Sequence, residues 1–451
     1  MIILRSILLP LSLLLTSDWV HAGDYDPTTL VFPPTSHSLG YYKATPFYLK
    51  IFLPIPDLRV RDPQGVSAVR LRSTDDPKDP KDDDELTVYG VNSGSHQLLY
   101  NKGLTEIKYY GKFGMGEGKF WWPRGVTATA EGDVYICDTG NHRIVKFFND
   151  GNEIHWVKTI GSLGLDKGEF DQPHQISLDS DGNLYITDMG NDRIQVLTGE
   201  GEFLRWIGEG ELERPDGIVV NDKGSPWTFH KEDLLFVVDE DHKRISKYSL
   251  EGDRKGSITS EEMGLSDAHF GYLAIDYYLN LYVTDQTNHQ IHKLSRDLRP
   301  IISFGRKGSG KKEFQSPRGI TIWRRFGQVF ILEEKGAQYY WVGVDGMIRG
   351  IFPESFSKEN PGATISLYLT EPANVGIKVY DTEGKMVREV FPKLLQEPFE
   401  IEIVWDGLDS SGEIVTPGVY RVEVTLEPTY SSRGHFKKVL EGKVECLTTT
   451  E

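Results

Sequence analysis

The stretch from Phe170 to Gly208, FDQPHQISLDSDGNLYITDMGNDRIQVLTGEGEFLRWIG, decides the fold. It contains about four short runs of alternating apolar and polar residues, separated by Gly, Asp and Asn turns. Alternation with a period of two sets one face of each run against a core, which is the signature of half-buried strands. The stretch before it, from Phe120, repeats the pattern as FWWPRGVTATAEGDVYICDTGNHRIVKFFNDGNEI. Working outward, four further copies start near Asp62, Glu213, Phe270 and Ser316, with a period of about 40 to 60 residues. Four strands at that period make one propeller blade. A single blade cannot bury both its faces, so neighbours must stack. Six copies therefore predict an all-β, six-bladed β-propeller closing as a ring over residues 62–352.

The sharpest element of the repeat is a turn, D-x-G-N-x-R-I. It stands as Asp138, Gly140, Asn141, Arg143 and Ile144, and again as Asp188, Gly190, Asn191, Arg193 and Ile194. On these residues the chain resembles the NHL-repeat family, and the resemblance implies a propeller. Asp and Asn tolerate tight turns and bond nearby backbone, Gly takes positive φ, and Arg reaches a neighbouring turn with several donors. These polar residues are read as scaffold and not as a catalytic set. Other copies depart from the pattern: Asn92 and Gln97 replace Asp and Arg in the first, Gln290 replaces Arg in the fifth, and the sixth has Glu333 and Gln338.

Ring closure has two candidates. The stretch from Phe47, FYLKIFLPIPDLRVRDPQG, resembles the outer strand that precedes a blade, so the N-terminal segment 23–61 is expected to supply a closing strand. Met347 to Phe352 offers a rival. The charged stretch from Ser73 to Glu85, STDDPKDPKDDDE, clusters carboxylates as a calcium loop does. It has no glycine at the bend, and a solvated insertion is the preferred reading.

After Pro361 the texture changes. Alternating runs follow, then IEIVWDGLDSSGEIVTPGVYRVEVTLE. Trp405, Asp406, Gly407, Asp409, Gly412, Val415, Gly418, Val419 and Tyr420 resemble the immunoglobulin-like module named after the flagellar hook-cap protein FlgD. The resemblance implies a small β-sandwich over 361–427, with Trp405 plugging its core and a spacer or attachment role. It is expected to unfold independently of the propeller. Residues 428–451 form an extension that adds a strand without an assigned place.

With 67 acidic against 50 basic residues the formal charge is -17, which opposes duplex nucleic acid or an anionic membrane as main partner. Arg5, the apolar run Ile7–Leu15 and the small exit at Ala22 read as a secretory signal peptide over 1–22. The expected location is therefore outside the cytoplasm, periplasmic, cell-surface or extracellular, with no transmembrane segment in the mature chain. Two cysteines, Cys137 and Cys446, are too few for a disulfide framework and are expected as buried thiols.

Aligning the copies places Gln64, Arg124, His174, Asp216, Gly271 and Arg318 around one mouth of the channel. Of these, Arg124, His174, Asp216 and Arg318 are the candidate ligand-binding residues, forming an electropositive mouth suited to an anionic ligand. Zinc needs about three protein ligands, and only His174 falls in the ring, with His269 two positions early. Calcium needs several oxygens, and Asp216 with Gln64 is too few. No metal or other cofactor is expected. Trp121, Trp122, Tyr339, Tyr340 and Trp341 are candidate aromatic platforms. The expected function is non-enzymatic binding or scaffolding of a protein, peptide or glycan of the cell envelope. The alternative is a metal-dependent lyase or lactone hydrolase at the channel mouth.

Overall fold

The architecture is built from the repeated turn. In the computed structural model, which describes residues 27–34, 43–45, 47, 58–75, 86–102 and 106–448, Asp138 ends one strand at the centre of a hydrogen-bond cluster. Its buried carboxylate accepts from the Trp121 backbone N–H at 2.7 Å, from Asn141 Nδ2 at 2.8 Å and from Arg143 Nε at 2.8 Å. Asp188 repeats the set with Asp171, Asn191 and Arg193 at 2.7, 2.9 and 2.9 Å. Each turn is a short 3-10 segment closed by a left-handed residue, His142 and Asp192 respectively. The motif thus ties the second and third strands of a sheet to the segment that enters its first strand. Ile144 and Ile194, one residue on, are fully buried.

Six sheets share this plan. The second runs Val126–Ala128, Asp133–Asp138, Arg143–Asn149 and Ile154–Ile160, and the third runs Pro173–Leu178, Leu184–Asp188, Arg193–Leu197 and Phe203–Ile207. The first, fourth and fifth begin at Pro63–Arg70, Ile218–Asn221 and Phe270–Ile275 and are likewise four-stranded, antiparallel and in sequence order. The sixth holds Ile320–Trp323, Gln328–Glu333 and Gly336–Val342. First strands of consecutive sheets lie side by side, and that of the sixth lies beside that of the first, which closes the cycle. Separate apolar clusters fill the spaces between adjacent sheets, as stacked blades require.

Closure of the sixth sheet differs in detail from expectation. Leu30–Val31 and Lys43–Ala44 both pair with Gly336–Val342, so the outer position is filled from the N-terminal side but upstream of Phe47. Residues 48–57 lie outside the described set, as do the signal-peptide expectation over 1–22 and most of the acidic insertion (76–85). The rival strand, Gly346–Phe352, instead pairs with Ala363–Leu369 of the second unit. The boundary at 352 therefore falls several residues too late. Gly346 needs its backbone close to Tyr368, which turns the chain out of the propeller there.

The second unit stacks a three-stranded sheet (Gly346–Phe352, Ala363–Leu369, Phe399–Trp405) on a five-stranded one. Ala373–Tyr380 alternates buried and half-buried along its length, as a sandwich strand should. Trp405 lies at the core, edge-on to Phe356 at 5.5 Å and tilted to Tyr420 at 5.7 Å, with its Nε1–H on Leu408 O at 3.0 Å. Lys438–Cys446 pairs with Gly418–Pro428 along nine residues, so the extension is an integral strand of the sandwich. Cys137 and Cys446 are both buried and free. Among the described residues no helix is long and apolar enough to cross a membrane.

The two units are docked over a buried polar and apolar seam. Lys293 forms an ion pair with Glu371 and also donates to Thr370 O at 3.0 Å. Asn280 and Tyr282 donate to the same carboxylate at 3.2 and 3.3 Å. Tyr430 stacks on Tyr277 at 5.3 Å, and Ile301 and Ile302 share a cluster with Tyr368, Met347 and Phe399. The sandwich is therefore fixed against the propeller and does not hang from it as an independent spacer.

Candidate functional site at the channel mouth

The inner strands enter beside one another at the end of the ring where the Asp turns lie. At the second position of each entry the residues are Gln64, Arg124, His174, Asp216, Gly271 and Arg318, and the next position is Gly65, Gly125, Gln175, Gly217, Tyr272 and Gly319. A Cβ at Gly217 would collide with Gly271 O, and one at Gly319 with Gln64 O, so glycine is required where neighbouring inner strands touch. Gln175 and Tyr272 carry side chains at this position.

Tyr272 takes the fifth-sheet position that Gly271 leaves empty. Its hydroxyl donates to Gln64 Oε1 at 2.6 Å, Gln64 Nε2 donates to Asp62 Oδ1 at 2.8 Å, and Asp62 forms an ion pair with Arg318. Burial, first, drives the Tyr272 phenol far above its ordinary value, and the nearby charges of Arg124, Asp216, Arg318 and Asp62 modulate it. All six sheets thus contribute to one polar cluster, and the Tyr272–Gln64 bond lies across it.

On the other side Asp216 accepts from His174 Nδ1 and lies 3.2 Å from His242 Nδ1, while His242 stacks on His269 with centroids 4.0 Å apart. Burial would raise the Asp216 carboxyl, yet the two imidazoles outweigh it and hold it well below the usual range. Burial likewise acts to lower His242, and the hydrogen bond and charge of Asp216 reverse that. His269 is lowered by burial and by the charge on His242.

Of the residues the register points to, His174 and Asp216 meet directly, and Arg124, Asp216 and Arg318 all act electrostatically on Tyr272. Sequence reasoning missed Asp62, His242 and Tyr272, and set His269 two positions outside the ring. His242 occupies the left-handed position of the fourth turn, φ 69°, and projects back into the mouth. No alignment of inner strands reveals a residue that arrives from a turn. The mouth is also less positive than expected, since Arg318 is paired with Asp62, and His174 and His242 are both engaged by Asp216. The Arg124 backbone bonds Cys137 O and Gly65 N, and its guanidinium has no hydrogen bond or ion pair to any described residue; the Nε of Arg318 and Nε2 of Gln175 are buried without a partner among the described residues. Among the described residues no group of three or more His, Cys, Asp or Glu is placed to hold a metal ion. That donor set does not fit the three protein ligands a catalytic zinc needs.

Around this mouth the surface is apolar. Phe113 (63% exposed), Met115 (70%), Trp121 (40%) and Trp122 (45%) flank the second sheet, and Leu163 (62%) and Leu165 (72%) occupy the matching loop of the third. His96 joins them, its ring 5.1 Å from Phe113 and 5.4 Å from Trp122. The two loops are built alike: Asn141 holds Gly114 O at 2.9 Å, and Asn191 holds Gly164 O at 3.0 Å. The matching loop of the sixth sheet carries Lys307 and Lys311 instead. Tyr340 is fully buried against Phe314 and Phe32, so it is core and not platform.

Comparison with known proteins agrees with this construction. The NHL repeat family matches residues 120–147 and 170–197, and the FlgD Ig-like domain family matches 354–429. The B-box type zinc finger protein ncl-1 of Caenorhabditis elegans is 35% identical over 69 residues, 14% of this chain and 8% of that protein. The protein brain tumor of Drosophila melanogaster is 38% identical over 65 residues, 14% of this chain and 6% of that protein. The chain thus spans under a tenth of the length of these curated relatives. Among solved structures, a gluconolactonase from Xanthomonas campestris shares 13% identity at a TM-score of 0.44, covering 70% of this chain and 97% of that one. A virginiamycin B lyase from Staphylococcus aureus shares 18% at 0.40, covering 58% and 83%. The chain carries NHL repeats in a β-propeller, followed by a FlgD Ig-like domain.

Proposed function

We propose that the protein is an exported binding or scaffolding protein whose propeller presents its mouth face to a protein, peptide or glycan of the cell envelope. The observation that carries this reading is the exposed apolar group Phe113, Met115, Trp122, Leu163 and Leu165 on two adjacent loops of one face. Large exposed apolar groups rimmed by polar residues mark interaction sites, because leaving them in water has a cost that a partner relieves. The docked sandwich serves as an attachment module that holds the propeller in a fixed orientation. The polar groups of the mouth largely satisfy one another, which suits a rigid platform. Among the described residues no donor set for a metal-dependent lyase or hydrolase is present. The test compares the wild-type protein with Phe113→Ser/Leu163→Ser for retention of envelope proteins, peptides and glycans on the immobilised chain. Loss of the retained species with unchanged unfolding is expected; an unchanged set contradicts the platform. Fractionation of the producing cells tests export, and recovery in the cytoplasm opposes it.

A further inference from the structure

Arg124 and the apolar group belong to one segment. The chain runs Phe120-Trp121-Trp122-Pro123-Arg124, leaving the two tryptophans exposed on the lip and placing the arginine at the first turn into the channel. Trp122 is held there by its backbone N–H on His96 Nδ1 at 3.2 Å. The mouth's other arginine is paired, and His174 and His242 are engaged with Asp216, but the Arg124 guanidinium has no partner among the described residues although it is only partly exposed. A half-buried guanidinium without a partner among the described residues can bind a planar anion through two parallel N–H donors.

The surroundings choose the anion. Asp62 and Asp216 are each already paired, so among the described residues Arg124 offers a single unengaged positive charge, which matches a monoanionic carboxylate more closely than a dianion such as phosphate. They also choose the carrier. Met115, Leu163 and Leu165 are aliphatic and offer no hydrogen bonds, so they suit apolar side chains better than the polar rims of sugars.

We propose that the mouth captures the C-terminal carboxylate of an apolar polypeptide end, with Arg124 binding the carboxylate and the Phe113–Trp122 and Leu163–Leu165 loops taking the preceding side chains. This rests on the platform reading and names its ligand. The test uses the full chain, immobilised, and a mixed-sequence synthetic hexapeptide library in two forms, free acid and C-terminal amide, with retained members identified by mass spectrometry. Free acids ending in Leu, Met or Phe are expected to be retained at least tenfold over the matching amides. Arg124→Gln is expected to abolish that preference while keeping the wild-type unfolding midpoint, since the side chain holds no structural bond. Equal retention of acids and amides, or a preference that survives Arg124→Gln, overturns the proposal. So does displacement of retained peptides by glucuronate oligomers or inorganic phosphate at lower concentration than by acetylated Leu-Phe. If Phe113→Ser/Leu163→Ser loses peptides that Arg124→Gln keeps, the carboxylate assignment fails and the platform stands. If neither variant matters, both fail.

Discussion

The buried carboxylate that ends the second strand of a sheet is matched by a basic side chain wherever it occurs. Asp138, Asp188 and Asp239 have Arg143, Arg193 and Arg244. Where arginine is lost, another side chain takes its place: His292 meets Asp285 at 3.1 Å, and Lys43 from the N-terminal strand meets Glu333 at 3.1 Å. Burial acts to raise Asp285, yet His292 and Asn288 outweigh it and bring its carboxyl down to about 2. Where the carboxylate itself is lost, so is the cation, and Asn92 bonds Gln97 at 3.2 Å. Removing one member of a buried pair costs about 3–5 kcal/mol, so Arg193→Ala should lower denaturant stability by that order. Asn92→Asp should also destabilise, since its Nδ2 now donates to Arg59 O at 2.8 Å, and Gln97→Arg should restore part of the loss. Much of this was legible: the D-x-G-N-x-R-I spacing marks the scaffold directly. The replacements His292 and Lys43 were not, because they come from a different strand position and from a segment without the motif.

At the mouth, His242 and Asp216 form the pH-sensitive pair. A raised histidine contributes fully below its unfolded value, about 6.5, and the contribution is lost as pH rises through the folded value. Asp216, held low, keeps its contribution above the ordinary carboxylate range and loses it only in strong acid. The propeller's melting temperature should therefore fall as pH is raised above about 6.5. Asp216→Asn should flatten that slope; a slope unchanged in the variant counts against the pair.

Among the elements, the sheets were legible and their closure only in part. Alternation fixes strands, but it does not say which strand covers the sixth sheet, since Leu30–Val31 is two residues long and carries no repeat. The strand Gly346–Phe352 looked like the missing one because its pattern suits either unit, and pairing with Ala363–Leu369 decided the matter. Leu30 is fully buried in the cluster with Tyr340 and Ile331. Leu30→Asp should place an unpaired charge there and open the sixth sheet, read as accelerated amide exchange in Gly336–Val342. Unchanged protection would mean that the N-terminal strand is not the closing element.

For the whole molecule, the seam between propeller and sandwich replaces the picture of two independent units. Nothing in the sequence singles out Glu371 or Lys293, since a buried ion pair across domains leaves no periodicity. Burial lowers the Lys293 amine to about 8, with the charges of Asp276 and Asp345 opposing. Trp405→Ala should cost about 3–5 kcal/mol, and the loss should appear in both units because the seam couples them. Separate melting of an intact propeller would show the seam to be weak.

The mouth face, and not another surface, is expected to meet the partner. The most direct measurement places a photo-crosslinking phenylalanine analogue at Phe113 and, as control, at Lys255 on the outer strand Arg254–Thr259, in the cells that make the protein. The account predicts a discrete adduct from position 113 that disappears with Leu163→Ser, and none from position 255. Equal adducts from both positions, or an adduct from 255 alone, would contradict it.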